Sequence, residues 1–545
     1  MMRDFPKIVA FSVLSLAIAA QAQNVYIAQT AAGGNTGADC ADARALSSLA
    51  STDWTAGNTI HLCGTITATA GTSGLVAQGS GTSGSPITVK FETNAVLESP
   101  YFGYNNGCAS AAQCLGGIEA YHYNYIIIDG GTNGIIENTA NGTDLANQKS
   151  SSGITLSGSN YIVRNLTIKN IYANDPTTGT DRGGNFTSNV TVISGSSNVT
   201  ICNNTLDNAH SGIQEDTVGG SAPTYPFPSC ASNTFTSGTN LYGNTLYDHV
   251  WQINPMGSST PIVNIFNNNL SGVLNWIYTP NPANYYHTDG VIAFGDTGSQ
   301  VLVYLIGNIF HDTAFGTAAF YCTTGTGSGS GCAAYIFNNV FEVDSATTGT
   351  VAVWLNGTSP YPFGPYYVYN NTFINNGYAI APATNTTHPI TSENNLVTEG
   401  TTGYKYFYVD EAGTTLTSDF AASDYNSFYG GRGLSFTGNG YWCWPQPGKS
   451  PTGCGASYNG PWASAGFDTH SISANPQINA SYQLSSSSPD IRAGANLSSL
   501  CSTPGLGLLC YDKNGVARPA TGAWDIGAFQ FRGPNAPVGL TRTVK

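Results

Sequence analysis

Half of the eight histidines, His210, His249, His287 and His311, fall between residues 210 and 311, each within a few residues of an aspartate. Carboxyl pairs in which one member is protonated and the other ionised carry out glycoside hydrolysis. Asp248, Asp289 and Asp312 are the candidates for that chemistry, with His249, His287 and His311 as further catalytic candidates beside them. Trp251, Trp276, Tyr278, Tyr285 and Tyr286 crowd the same stretch and offer flat faces on which sugar rings could stack. The plainer alternative is structural, since Asp and Asn are common turn residues and a histidine can simply cap a loop.

Charge narrows the ligand. The chain has 17 Lys and Arg against 31 Asp and Glu, for a formal charge of −14. No Lys or Arg occurs between Arg182 and Lys405, a stretch that holds Asp207, Glu215, Asp216, Asp248, Asp289, Asp296, Asp312, Glu342 and Asp344. A bare polyanion would find no counter-charge there, so nucleic acid and anionic membranes are poor partners. Proton abstraction from a uronate would need a cation, supplied only if Arg164, Lys169, Arg182 or Lys405 reached the groove. An acidic groove could hold Ca²⁺ through Asp289, Asp296 or Asp312. The Gly-Gly-x-Gly-x-Asp pattern of calcium β-rolls is absent, and the expected hydrolysis requires no cofactor.

The elements that must position these residues are set by a repeat. Asn203-Asn204-Thr205-Leu206, Gly243-Asn244-Thr245-Leu246, Asn268-Asn269-Leu270, Gly307-Asn308-Ile309-Phe310, Asn338-Asn339-Val340-Phe341, Asn370-Asn371-Thr372-Phe373 and Asn394-Asn395-Leu396 share one phrase, with Arg164-Asn165-Leu166 a weaker copy. The shortest steps give a base period of about 24 residues, and longer ones read as that period plus loops. Alternating apolar runs precede the phrases, as in Val301-Leu302-Val303-Tyr304-Leu305. This predicts a coil of short parallel strands, with Asn at the sharp turns because it tolerates positive φ, and stacked Asn side chains laddering between coils. Aligned on the phrase, Asp207 and His311 share one column, and Asp248 and Asp312 share the next, with Val273 between them. Coils stack at about 4.8 Å, so the last two stand roughly 10 Å apart. That is at the far edge of the roughly 6.5–9.5 Å of inverting glycosidases.

Residues 120–430 resemble the right-handed parallel β-helix proteins of pectate-lyase-like architecture. The resemblance implies an all-β single-stranded solenoid with loop insertions. Asp42 to Ala50, with Ala43, Leu46, Leu49 and Ala50 at helical spacing, is expected to form a short N-terminal capping helix. Tyr285-Tyr286-His287-Thr288-Asp289-Gly290-Val291 is similar to the Asp-Gly phrase of β-helix polysaccharide hydrolases, where a related Asn-Thr-Asp supplies a catalytic carboxylate. Here His287 replaces the Asn, and the double-Asp and His-Gly motifs of polygalacturonases are absent, so the resemblance transfers Asp289 alone. The segment from Asn475 to Gln530 is similar to a closing segment of secreted β-helix proteins and is expected to be structural, with Arg492 where Asp is usual and Gln530 where Glu is usual.

Arg3 and Lys7, an apolar run from Ile8 to Ala20 and Ala20-Gln21-Ala22 read as a secretory signal peptide over residues 1–22. Twelve cysteines fall into six near neighbours, Cys40/Cys63, Cys108/Cys114, Cys202/Cys230, Cys322/Cys332, Cys443/Cys454 and Cys501/Cys510. An even count behind an export signal predicts six local disulfides, and no spacing suits zinc. The expected layout is a β-helix over 23–430, a Trp/Gly/Pro-rich region over 431–475, a closing segment over 476–531 and a tail over 532–545. The expected protein is a secreted monomer whose partner is a neutral polysaccharide or surface glycan. The competing class is a non-enzymatic adhesion or glycan-binding protein, whose acidic and aromatic residues would scatter over several faces.

Overall fold

The computed structural model describes residues 22–104, 114–140, 149–173, 187–224, 226, 229–272, 288–295, 299–311, 318–323, 331–342, 351–356, 364–383, 390–398, 406–410, 419–430, 434–436, 440–442 and 465–533. Within them the chain is a parallel β-helix. Every pairing between named strands is parallel except that of Leu434–Phe436 with Gly440–Trp442, an antiparallel hairpin on the last coil. Three sheets run along the axis. The first includes Thr239–Tyr242, Ile262–Phe266, Gln300–Ile306, Gly331–Phe337, Tyr366–Tyr369 and Ile390–Glu393. The second includes Asn269–Ser271, Ile309–His311, Val340–Glu342, Thr372–Ile374 and Leu396–Thr398. The third includes Asp289–Ala293, Ala318–Cys322, Val351–Asn356 and Tyr378–Ala383.

Alternation along each strand sends one row of side chains inward, and stacking makes these rows into columns. Val163, Ile201, Leu241, Ile265, Leu305, Ile336 and Val368 form one such column, every member fully buried. Phe310, Phe341 and Phe373 stack at 4.9 and 5.1 Å between ring centroids, close to the coil spacing itself.

The repeated Asn phrase divides its labour between its two positions. Asn203, Asn267, Asn338, Asn370 and Asn394 have φ of 51–60°, with Gly243 and Gly307 at the equivalent corners. The next residue points inward and builds a ladder through Asn204, Asn244, Asn268, Asn308, Asn339, Asn371, Asn395 and Asn426. In each step the Oδ1 of one Asn accepts from the backbone N–H of the Asn one coil before. The register also corrects one copy of the phrase: in the triplet 267–269 it is Asn268, not Asn269, that joins the ladder. Asn269 instead opens a strand, where Thr245 stands in the coil before and Ile309 in the coil after. The residue between Asp248 and Asp312 in their column is therefore Gly272 rather than Val273. Three consecutive asparagines leave the choice to tertiary packing.

One expectation about the ends changes. In place of a capping α-helix, Arg44–Ala45 pairs with the first strand and Leu46–Ser48 makes a single 3₁₀ turn. Arg44 holds Asp53 at 2.8 Å there, and the chain forms no further helical turn before Thr59–Leu62. The closing segment lies along the flank of the coil. Leu497, Leu506, Leu508, Leu509 and Trp524 cover the outer face of the first sheet, against Tyr242, Phe266, Tyr304, Phe337 and Tyr369. Corner asparagines tie it down: Asn338 Nδ2 donates to Tyr511 O at 2.7 Å, and Asn394 Nδ2 to Ala495 O at 2.9 Å.

Disulfides join Cys40–Cys63, Cys202–Cys230, Cys322–Cys332 and Cys501–Cys510, as the near-neighbour spacing predicts. Of the expected Cys108–Cys114 bridge only one end is described. Cys114 is fully buried and disulfide-bonded, whereas Cys108 lies outside the described residues. Cys443 and Cys454, and with them the remaining expected bridge, also lie outside the described residues. Among the described residues no helix is long and apolar enough to cross a membrane.

Candidate active site

The corner between the second and third sheets is where the candidate chemistry gathers. In most coils an insertion breaks the chain here, as between Asn269–Ser271 and Asp289–Ala293. Two neighbouring coils cross it as unbroken strands, Thr205–Val218 and Thr245–Ser259. The bend is made by Asn208 and Asp248, at φ 53° and 58°, in a column with Asn170 and Gly272, which also have positive φ. Asp248 therefore has a structural reason for its residue type, and its N–H donates to Gly272 O at 3.0 Å. Its carboxyl is half-buried beside its neighbours.

The outward column on the second-sheet side reads Glu137, Lys169, Asp207, Tyr247, Ser271 and His311, coil by coil. Asp207 and His311 share it as the repeat predicts. The repeat places Asp207 in this column, although spacing alone does not mark it as a candidate acid. Burial raises its carboxyl to about 6, the negative charge of Asp248 pushes the same way, and a hydrogen bond from Tyr247 and the charge of Lys169 pull against them. Tyr247 is raised to about 12 by burial and by the two carboxylates around it. Asp207, Tyr247 and Asp248 thus form one electrostatic group on two coils. Lys169 stands next to it, but its Nζ is held by Glu137 Oε2 at 3.0 Å.

On the third-sheet side Ser211, Trp251, Asp289 and Ala318 form the first outward column. Trp251 is half-buried and stands edge-on to the His210 ring, with centroids 4.7 Å apart. Asp289 is fully buried, and its Oδ1 accepts from Ala318 N at 3.0 Å, so it fastens the next coil. Farther along, Ile292, Tyr321 and Trp354 pack on the same outer face.

His249 is not on the surface at all. It points into the coil, fully buried, and its Nε2–H faces Asn189 Oδ1 at 2.6 Å. Burial, with a smaller push from His210, lowers the ring to about 3, so it is neutral at any ordinary pH. A catalytic role in contact with substrate is excluded by that placement. Its sequence position beside Asp248 misleads because the corner at Asp248 turns the following side chain inward. His287, Asp312, Trp276, Tyr278, Tyr285 and Tyr286 lie outside the described residues, as do Arg182 and Lys405. Arg164 is buried in an ion pair with Asp129 at 2.8 Å and bonds to Cys230 O, which makes it structural. For Ca²⁺, Asp296 and Asp312 lie outside the described residues, and among those described no three His, Cys, Asp or Glu side chains group as a metal site.

No family model and no curated protein matches the sequence. Among solved structures, the pectate lyase Pel9A is similar at 15% identity, with 95% of this chain and 98% of that one covered and a TM-score of 0.43. XylC in complex with xylose is similar at 10% identity, covering 94% and 98%, with a TM-score of 0.41. The GH136 lacto-N-biosidase from Eubacterium ramulus is similar at 13% identity, covering 76% and 66%, with a TM-score of 0.38. Likeness at this level carries no argument about activity, and the architecture rests on the strand register.

Proposed function

We infer that the protein is an exported, monomeric enzyme that hydrolyses a neutral polysaccharide with Asp207 and Asp248 as its carboxyl pair. The observation that carries this reading is their coupling on neighbouring coils, which favours one protonated and one ionised partner. Asp207, raised to about 6, is suited to protonate a leaving oxygen, while Asp248 is suited to the ionised role. Trp251 would stack on a sugar face at the mouth of the same corner. Asp207 and Asp248 lie on neighbouring coils one position apart in register, since Tyr247 stands opposite Asp207 and Asp248 opposite Asn208. The disulfides agree with an oxidising, extracytoplasmic setting.

A second reading has one observation in its favour. Lys169 stands beside Asp207, where a polyuronate lyase could use a lysine base. Its Nζ is already held by Glu137 Oε2 at 3.0 Å rather than turned to a substrate, so hydrolysis is preferred. Reducing-end release from a panel of neutral glucans, mannans, xylans and galactans tests the proposal, with polygalacturonate and alginate as anionic controls. Release from a neutral member, lost in Asp207→Asn, is expected. Activity on the anionic controls alone would overturn it.

A further inference from the structure

The inside of the coil beneath the site contains a polar group that packing alone does not call for. The inward column at the start of the third sheet runs through Asn189, Gly212, Gln252, Gly290, Ala319, Ala352 and Ala379. Small residues suit it because backbones approach closely there. Gln252, which donates to Ser271 O at 2.8 Å, and Asn189 both break that pattern; Asn189 does so at the coil that leads into Asp207, and His249 faces it from the coil beyond. Both are fully buried. The Asn189 Nδ2 group donates to Ile168 O and to Asp207 O, each at 3.2 Å. It thus clamps two neighbouring coils at the residues that set the carboxyl column, one of them the peptide of Asp207 itself. His249 holds the other end of that amide, donating from Nε2 to Asn189 Oδ1.

Room for the ring is made by Gly212. A Cβ there would stand 2.5 Å from Gln252 O and 3.3 Å from His249 Cε1. With Nε2 as donor, Nδ1 is the bare acceptor, and it has no partner among the described residues. Leaving a buried acceptor unsatisfied is unfavourable, and an apolar residue would fit better among Ala209 and its neighbours. The chain keeps the imidazole where its single hydrogen bond orients Asn189.

We propose that His249 is a positioning residue, acting through Asn189 to fix the strand that carries Asp207 and so the half-buried setting of its carboxyl. The inference rests on Asp207 being the acid of the proposed reaction. The groups facing that carboxyl are Tyr247 and Asp248 from the next coil and Lys169, paired with Glu137, from the one before. With the brace removed, Asp207 moves toward solvent and its carboxyl returns toward the ordinary range.

The test is a ¹³C carboxyl titration of the full chain labelled at aspartate, with Asp207→Asn for assignment. The expected midpoint for Asp207 is about 6 in the parent protein. It should fall in His249→Phe, which fills the space but cannot donate, and return in His249→Gln, whose amide can reach Asn189 Oδ1. If His249→Phe does not fold, Asn189→Ser, which removes both donors and leaves the ring, should lower the midpoint in the same way. A midpoint unmoved in the folded variants would overturn the positioning role and leave the hydrolase reading standing. A midpoint already in the ordinary range in the parent protein would instead overturn the assignment of Asp207 as acid, and this inference with it.

Discussion

Asp207 and Asp248 differ less in residue type than in what surrounds them. Asp207 is pushed up by burial and by its neighbour's charge, and among the described residues the cation acting on it is Lys169. Lys169 lowers the Asp207 carboxyl, so Lys169→Met should raise it. An acid must be protonated to act, so the alkaline limb of the pH–rate profile, expected near 6, should move to higher pH in that variant. A lysine base would predict loss of activity instead. Glu215 makes a separate case. It lies fully buried inside the coil, with Oε1 accepting from Thr217 and from Thr239 at 2.8 Å, and burial raises it to about 7. A raised folded value means that its contribution to stability is complete below about 4.5 and is lost as pH rises through about 7. Glu215→Gln, neutral in both states, should therefore stabilise the protein at pH 8 by about 1–3 kcal/mol and have little effect at pH 4, as read by denaturant unfolding.

At the scale of elements, the Asn ladder does for this coil what a paired edge does for a sheet. It satisfies buried backbone groups at a corner where the strand ladder is broken. Asn308 accepts from Asn268 N, donates to Ile265 O and bonds to Asn339 Oδ1. Asn308→Ala would leave several of these groups buried without partners, and a loss of about 2–4 kcal/mol in unfolding free energy is expected. The ladder was legible in the sequence because Asn has two separable uses, positive φ and amide stacking, and the phrase shows both. The position of the ladder in the 267–269 triplet was not legible, since all three residues satisfy either use. The same ambiguity hid Asp207. From spacing alone Asp207 and Asp248 look like two more turn residues, and the column alignment directed attention to the pair two coils apart. Only the register, which puts Asp207 opposite Tyr247, brings the neighbouring carboxyls together. His249 was misread for a related reason: a residue's distance along the chain from an aspartate says nothing about which side of a corner it faces.

At the scale of the whole molecule, the coil is a stack whose flank is sealed by its own C-terminal segment. Trp524 is fully buried between that segment and the first sheet, with its Nε1 donating to Pro519 O at 2.7 Å. Trp524→Ala should destabilise the protein by about 3–5 kcal/mol in equilibrium unfolding. Because Trp524 itself packs on the first sheet and the site is at the corner between the second and third, folded Trp524→Ala should keep the midpoint of the Asp207 titration. The coil architecture was readable from the period of about 24 residues, whereas the course of the closing segment was not, because its contacts depend on outward side chains from many coils. The measurement that bears most directly on the account is reducing-end release from the neutral polysaccharide panel by the parent protein and by folded Asp207→Asn and Asp248→Asn. Release by the parent, reduced at least about 100-fold in both variants, is the predicted result. Unaltered release by both variants, or cleavage confined to polyuronates with unsaturated products, would contradict it.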